Sequence, residues 1–310
     1  MLKTVIMILL FIFLLGCTSR VPVTWSERIL DRKVEKLSLV YSEYGDKRNP
    51  TLLFLHGFGE NRYTWRFLVP YLESRYHLLM VDLKGFGESP KCRDDYYSVY
   101  DQAFVVNGFI QEHHLKDITL IGRSFGGGVS LVLALLQKDK LIDKSILNMV
   151  LIDSMSYKQN LPSMLRDLKT PILGYWGIYL LSNDYMAKEA YQYAFYRNDL
   201  IPQESINLAS TYLSFPMAKY AYLRTVNQLI PDDIDAIEQR YSEIDIPTLI
   251  LWGKYDVAIH ISKANRLHRA IKGSVLKIFS DAGHMPQEEI PKKVSNEIIR
   301  FVEERRQRYN

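Results

Sequence analysis

The chain has 310 residues, 47% of them hydrophobic and 24% charged, enough for a large core in one catalytic domain that carries an insertion. Its net charge of +4 comes from interspersed signs rather than basic runs, which argues against a nucleic-acid surface. Two cysteines, with no Cys-x-x-Cys pair or His-rich cluster, give no ground to expect a structural metal or a cofactor.

At the N-terminus Met1-Leu2-Lys3 makes a short basic start, Thr4 to Leu15 is almost wholly apolar, and Leu14-Leu15-Gly16-Cys17 follows. An apolar run of roughly a dozen residues suits a signal-peptide core and is too short to span a bilayer unaided. Leu-Leu-Gly-Cys resembles the bacterial lipobox. That resemblance implies removal of residues 1–16 and diacylglycerol on the Cys17 thiol, with the mature chain held on a membrane and facing the periplasm or exterior. Thr18 after the cysteine, by resemblance to the lipoprotein sorting rule, implies the outer membrane if the cell is Gram-negative. A plain secretory signal or an uncleaved short anchor are the alternatives. Residues 17–35 are polar and mixed and read as a tether. With Cys17 lipidated, no intramolecular disulfide can form. Cys92, in the polar loop Pro90-Lys91-Cys92-Arg93-Asp94-Asp95, reads as a bystander thiol rather than a reactive one.

Beyond the tether, strands are predicted at Leu37–Tyr44, Thr51–Leu55, His77–Asp82, Ile118–Ile121, Ile146–Ile152, Thr248–Trp252 and Val275–Phe279. Helices are predicted at Tyr63–Glu73, Val99–His114, Phe125–Gln137, Ser262–Ile271 and Pro291–Arg306. Alternating strands and helices imply an α/β domain with a mostly parallel sheet, and continuously apolar strands are what a sheet covered on both faces requires. The rhythm breaks over 155–240, which is rich in Tyr, Leu and Met with helical stretches at Met186–Tyr196, Ile206–Leu213 and Met217–Gln228. This reads as a helical cap inserted into a core of 36–154 and 241–310. Its apolar side chains either line an acyl or aromatic pocket or simply form the cap's own core.

The chemistry concentrates at strand ends. Residues 120–128 read Leu-Ile-Gly-Arg-Ser-Phe-Gly-Gly-Gly, so Ser124 sits in G-x-S-x-G between a strand and a helix. That is a nucleophile elbow, whose glycines remove side chains where strand and helix approach, and whose helix N-terminus aims N–H groups at a developing oxyanion. After Thr51–Leu55 comes His56-Gly57-Phe58-Gly59, a small-residue turn or an oxyanion turn with Phe58 as donor. Thr248–Trp252 leads to Asp256, and Val275–Phe279 leads to His284. Ligands of open parallel sheets bind beyond the carboxyl ends of the strands, where all of these residues fall.

These segments together resemble the α/β-hydrolases, specifically the cap-bearing esterase, lipase and carbon–carbon hydrolase group, over about residues 36–310. His56-Gly57-Phe58-Gly59 is similar to that group's HGxx turn, and Asp82-Leu83-Lys84-Gly85-Phe86-Gly87-Glu88-Ser89 to its D-x-x-G-x-G-x-S segment. Trp252-Gly253-Lys254-Tyr255-Asp256 is similar to its WGxxD acid loop, and Gly283-His284 to its histidine loop. The resemblance implies an α/β-hydrolase fold and the chain order Ser124, Asp256, His284 for a triad, with backbone N–H groups of Phe58 and Phe125 as oxyanion donors. Position 123 departs from the pattern: Arg123 stands where histidine, asparagine or glutamine is common. Its guanidinium is expected in a structural ion pair, with recognition of an anionic substrate group as the other reading.

The expected chemistry is acyl transfer to water. His284 takes the Ser124 proton and returns it to the leaving alcohol, while Asp256 fixes the imidazole tautomer. Asp153 also ends a strand and rivals Asp256. His56 belongs to the oxyanion turn, His77 precedes a strand, and His113-His114 end a helix, so none competes with His284. The expected substrate is a small apolar ester, and the expected state a monomer. A carbon–carbon bond hydrolase of the meta-cleavage type, and a non-catalytic lipid-tethered binding protein on the same scaffold, are the alternatives.

Overall fold

A computed structural model describes residues 37–170 and 172–309. The predicted signal segment, Cys17 and the tether lie outside the described residues. Seven strands form one sheet in the order β1-β3-β2-β4-β5-β6-β7. They are β1 (Tyr41–Tyr44), β2 (Thr51–Leu55), β3 (His77–Val81), β4 (Ile118–Arg123), β5 (Ile146–Ile152), β6 (Thr248–Gly253) and β7 (Val275–Phe279). Only β1 runs antiparallel, against β3. The predicted first strand is shorter at its start: Leu37–Val40 lies outside the sheet pairing, although the Asp82 N–H still donates to the Val40 carbonyl at 2.8 Å.

Register brings the carboxyl ends of the parallel strands level. Leu55 of β2 pairs with Gly122 of β4, Arg123 of β4 with Ile152 of β5, Ile152 with Leu251 of β6, and Gly253 of β6 with Phe279 of β7. The residues after those ends therefore share one edge of the sheet. The central strands β2, β4, β5 and β6 are buried almost throughout, because helices cover both faces, while edge strand β7 exposes Lys277 and Ile278.

The helices are α1 (Val69–Leu72), α2 (Val99–Glu112), α3 (Phe125–Lys138), α4 (Ser163–Leu168), α5 (Leu173–Leu180), α6 (Asn183–Ala194), α7 (Gln203–Leu213), α8 (Ala218–Asn227), α9 (Ile234–Gln239), α10 (Ser262–Ala270), α11 (Pro286–Glu289) and α12 (Pro291–Tyr309). α2 opens on a capping box in which Ser98 and Asp101 satisfy each other's backbone N–H. The helix predicted at Tyr63–Glu73 is divided. Asn61 caps a 3₁₀ turn over Arg62–Trp65, and the short α1 follows with Pro70 in its first turn. On one face of the sheet Phe54, Ile121, Val150 and Leu251 pack with Trp65, Ile298 and Phe301 of the covering helices. Each such buried side chain contributes on the order of 1.5–3 kcal/mol.

Helices α4 to α9 form the predicted insertion between β5 and β6. They have a small core of their own, Leu168, Ile178, Met186 and Val226, against which Phe58 of the core turn and Tyr222 pack. Among the described residues, no helix is long and apolar enough to cross a membrane.

Candidate active site

The sharp turn from β4 into α3 puts Ser124 at φ 49°, ψ −114°, a conformation that costs a non-glycine residue on the order of 1–3 kcal/mol and persists only where the surroundings impose it. They do so here. The Ser124 N–H donates to the Ile152 carbonyl at 2.9 Å, and its carbonyl accepts from the Met155 N–H at 2.9 Å. A Cβ on Gly122 would lie 2.4 Å from the Gly126 carbonyl oxygen, and one on Gly126 would lie 2.2 Å from that of Leu55. The two glycines flanking the serine are thus demanded by close backbone approach, as the pattern predicted.

His284 reaches the serine from the loop after β7. Its Nε2 lies 3.1 Å from Ser124 Oγ and its Nδ1 lies 2.7 Å from Asp256 Oδ2. The second Asp256 oxygen accepts from the Ala258 and Ile259 N–H groups, both at 2.8 Å, which fixes the carboxylate in its loop. Burial holds the His284 imidazole below its ordinary pKa, helped by the positive charge of Arg123 and opposed by Asp256. A neutral imidazole with Nδ1–H directed to a carboxylate and a free lone pair on Nε2 is in the state required to accept a hydroxyl proton.

Arg123 is buried at the wall of the site, and its donors are taken up by protein groups. Its Nε and Nη2 donate to the His284 carbonyl at 3.1 and 2.6 Å, and its Nη1 forms an ion pair with Glu60. Glu60 in turn accepts from the Gly57 N–H at 3.2 Å. The structural reading of Arg123 therefore holds: it ties the elbow strand to both the histidine loop and the glycine turn. Sequence reasoning did not single out Glu60, and only the unsatisfied charge of Arg123 could have pointed to such a partner.

Asp153 sits in a second strained turn, at φ 43°, directly after β5. Its Oδ1 accepts from the Gly253 N–H at 2.9 Å, and it forms a close group with Asp256 and His284. Complete burial, reinforced by the Asp256 charge, raises its pKa well above the ordinary carboxyl value. Two carboxyl groups sharing a dry site oppose each other's ionisation.

Phe58 follows β2 and Phe125 opens α3. The first N–H groups of a helix have no intrahelical partner, so the Phe125 N–H at this end is available to an anion. The turn carrying Phe58 is held by His56, which is fully buried. His56 Nδ1 lies 2.7 Å from the Gly57 carbonyl, and its Nε2 accepts from the Leu83 N–H at 2.9 Å, which assigns the proton to Nδ1. The Asp82–Ser89 motif is likewise structural. Asp82 accepts from the Arg62 and Glu88 N–H groups at 2.6 and 2.8 Å, and Ser89 Oγ donates to the Asp82 carbonyl at 2.7 Å.

Ser124 and His284 open onto a cavity of about 290 Å³ between the sheet edge and the insertion. Its walls are mainly apolar, with Met155, Leu165, Met186, Ala190, Leu213 and Ile259 contributing. Leu168 and Met186 belong both to these walls and to the insertion's own core, so the two readings of the insertion's apolar residues coincide.

The sequence model of the family described as alpha/beta hydrolase fold matches residues 50–291. The uncharacterized hydrolase YugF of Bacillus subtilis is 27% identical over 273 residues, which are 87% of this chain and 96% of that one. Lipase 1 of Psychrobacter immobilis is 25% identical over 295 residues, 89% of each chain. Among solved structures, a membrane phospholipase A described as a bacterial virulence factor superposes with TM-score 0.71 at 26% identity, covering 99% of both chains.

Proposed function

The chain belongs to the α/β-hydrolase fold family, and from that footing we propose that it is a serine hydrolase of carboxylic esters with hydrophobic acyl or aromatic groups. One observation carries the reading: the row Ser124, His284, Asp256, bonded at 3.1 and 2.7 Å, opens onto an apolar cavity. His284 removes the Ser124 proton as Oγ attacks the ester carbonyl, and Asp256 stabilises the imidazolium. The N–H groups of Phe58 and Phe125 receive the oxyanion, each donor being worth about 3 kcal/mol in sites of this kind. His284 then protonates the leaving alcohol and next activates the water that hydrolyses the acyl-enzyme.

The lipase of Psychrobacter immobilis and the membrane phospholipase A support ester chemistry on amphiphilic substrates. The outer side of the cap adds to this, since Tyr175, Trp176 and Leu180 are exposed next to Leu181, which lines the cavity. A carbon–carbon bond hydrolase has less support. Arg123 is the positively charged side chain among the described lining residues, and its donors are taken up by Glu60 and the His284 carbonyl.

The test is a series of p-nitrophenyl esters of graded acyl length beside a meta-cleavage dienone, together with a fluorophosphonate probe. Labelling of Ser124 that disappears in Ser124→Ala, with turnover of esters, is the expected result. Absence of labelling in folded wild type would leave the non-catalytic binding reading.

The same proposal includes the membrane. Cys17 carries diacylglycerol and holds the mature enzyme on the outward face of a bacterial membrane, the lipobox-like Leu14-Leu15-Gly16-Cys17 being the support. Metabolic labelling with an alkyne fatty acid should mark the wild type and not Cys17→Ser. A wild type that takes up no label and fractionates as soluble would overturn the anchor and leave the hydrolase reading intact.

A further inference from the structure

The histidine loop does not stand alone. It is bonded to the end of a cap helix whose side chains line the acyl cavity. Met186, Ala187, Ala190, Tyr191 and Ala194 of α6 face that cavity. At the helix end the Ala194 carbonyl accepts from the His284 N–H itself, at 2.8 Å. The chain then turns extended at Phe195, which frees the next two N–H groups. Both go to one carboxylate: Glu289 Oε2 accepts from Tyr196 N–H at 3.0 Å and from Arg197 N–H at 3.2 Å. The other oxygen of that carboxylate, Oε1, accepts from Gly283 N–H at 2.8 Å.

Glu289 is therefore a buried acceptor shared between the residue before His284 and the end of the cap helix. The junction is tight, for a Cβ on Gly283 would lie 2.7 Å from the Tyr196 nitrogen and 2.9 Å from the Ala194 carbonyl oxygen. The same helix end also grips the acid loop. The Tyr196 ring stacks on Tyr255 at 4.0 Å, and Tyr193 Oη donates to the Val257 carbonyl at 3.0 Å, one residue either side of Asp256.

We propose that Glu289 is a positioning residue for the hydrolytic reaction: its carboxylate straps the His284 loop to cap helix α6, so that the wall contacting the acyl group also sets the imidazole against Ser124. Glu289 touches neither the reacting atoms nor the cavity. It acts through the Gly283 and Tyr196 backbone, where a shift of about 1 Å in a catalytic group suffices to cost on the order of 100-fold in rate. All three bonds require an acceptor. Glutamine in this place would turn an NH₂ group toward one set of N–H donors, whereas aspartate keeps two acceptor oxygens on a shorter stem.

The inference rests on the ester-hydrolase reading for its kinetic readout only. Glu289→Gln, Glu289→Asp and Gly283→Ala are compared with wild type on a medium-chain ester. The Nδ1 proton of His284 is followed by NMR in the substrate-free enzyme. Glu289→Gln should lower kcat at least about tenfold with KM changed less than about threefold, the signature of lost transition-state positioning. Glu289→Asp should recover part of that loss, and the His284 proton resonance should move or broaden in step. A folded Glu289→Gln with wild-type kcat and an unmoved resonance would overturn the proposal. So would a kcat loss that follows thermal stability alone while the resonance stays put. If Glu289→Gln does not fold, Gly283→Ala tests the same junction from the other side, and wild-type behaviour there would overturn it equally. Wild type that hydrolyses no ester would reject the ester reading, while the resonance comparison would still decide the role of Glu289.

Discussion

The carboxyl groups of Asp153 and Asp256 lie within 4.8 Å of each other at the ends of neighbouring strands, yet Asp256 makes the hydrogen bond to His284. Asp153 turns one oxygen to the Gly253 N–H instead, while its other oxygen, Oδ2, is buried on the side of Asp256. Register explains the pair. β5 and β6 end side by side, which brings the carboxyl after each strand into the same dry pocket, where the Asp256 charge and burial both raise the Asp153 pKa.

The raised pKa of Asp153 links folding to pH. Its folded pKa is raised, whereas in the unfolded chain it ionises near 3.8, so stability falls as pH rises above that value and continues to fall up to the folded pKa. The slope is about 1.4 kcal/mol per pH unit from this one group. An asparagine side chain in its place would keep an acceptor for the Gly253 N–H without needing a proton. Asp153→Asn is expected to raise the melting temperature, by more at pH 8 than at pH 5, measured by calorimetry. A stabilisation independent of pH would show that Asp153 is ionised in the folded protein.

Asp256→Asn should lower kcat by about 10⁴, because the amide favours the wrong imidazole tautomer. Asp153→Asn should stay within about tenfold of wild type, since its carboxyl makes no bond to His284. Steady-state rates on one ester compare the two directly, and the reverse ranking would move the acid to β5.

Much of this was readable in the sequence because the fold places chemistry immediately after apolar strands. Thr51–Leu55, Ile146–Ile152 and Val275–Phe279 occupy the predicted spans, and Ser124, Asp256 and His284 follow their strands into one group. The elements that departed did so through local chemistry or tertiary contact. The cap helix expected over Met186–Tyr196 begins earlier, at Asn183, because the Ser182 side chain caps it. It ends at Ala194 because the following N–H groups are claimed by Glu289, about 90 residues away. Helices α4 and α5 fall within the stretch read as mostly helical, but their short apolar runs have no clear period from which to set bounds. Glu60, Glu288 and Glu289 belong to no motif that the sequence singles out as charged and paired. Their partners become visible only once Arg123, Arg66 and the backbone N–H groups at the end of α6 and before His284 are placed around them.

The acid limb of kcat/KM should lie below pH 6.5. In the proposed mechanism His284 must be neutral, burial and Arg123 both lower the imidazole pKa, and the limb of kcat/KM reports that group in the free enzyme. Arg123→Gln removes the positive charge and leaves Glu60 unneutralised, and both changes favour the imidazolium. The limb is expected to move to higher pH, with a loss of stability from the broken, partly buried pair. A rate–pH profile at low temperature separates the two effects, and an unmoved limb would mean that Arg123 exerts no field on the histidine.

Acyl length should be read by the cavity. A preformed apolar space of about 290 Å³ lets successive methylenes leave water, each worth up to about 0.8 kcal/mol, or roughly fourfold in kcat/KM. The rise should continue from acetyl to medium-chain esters and then level off when the space is filled. Ala190 stands on the cap side of this space and has a methyl group where a larger side chain would intrude. Ala190→Phe is therefore expected to shift the optimum to shorter chains while sparing the acetyl ester, because the intruding ring occupies the acyl path and leaves the Ser124–His284 contact untouched. A flat series in wild type would mean that the acyl chain does not enter the cavity. A uniform loss across all lengths in Ala190→Phe would mean that the ring disturbs the histidine rather than the acyl path.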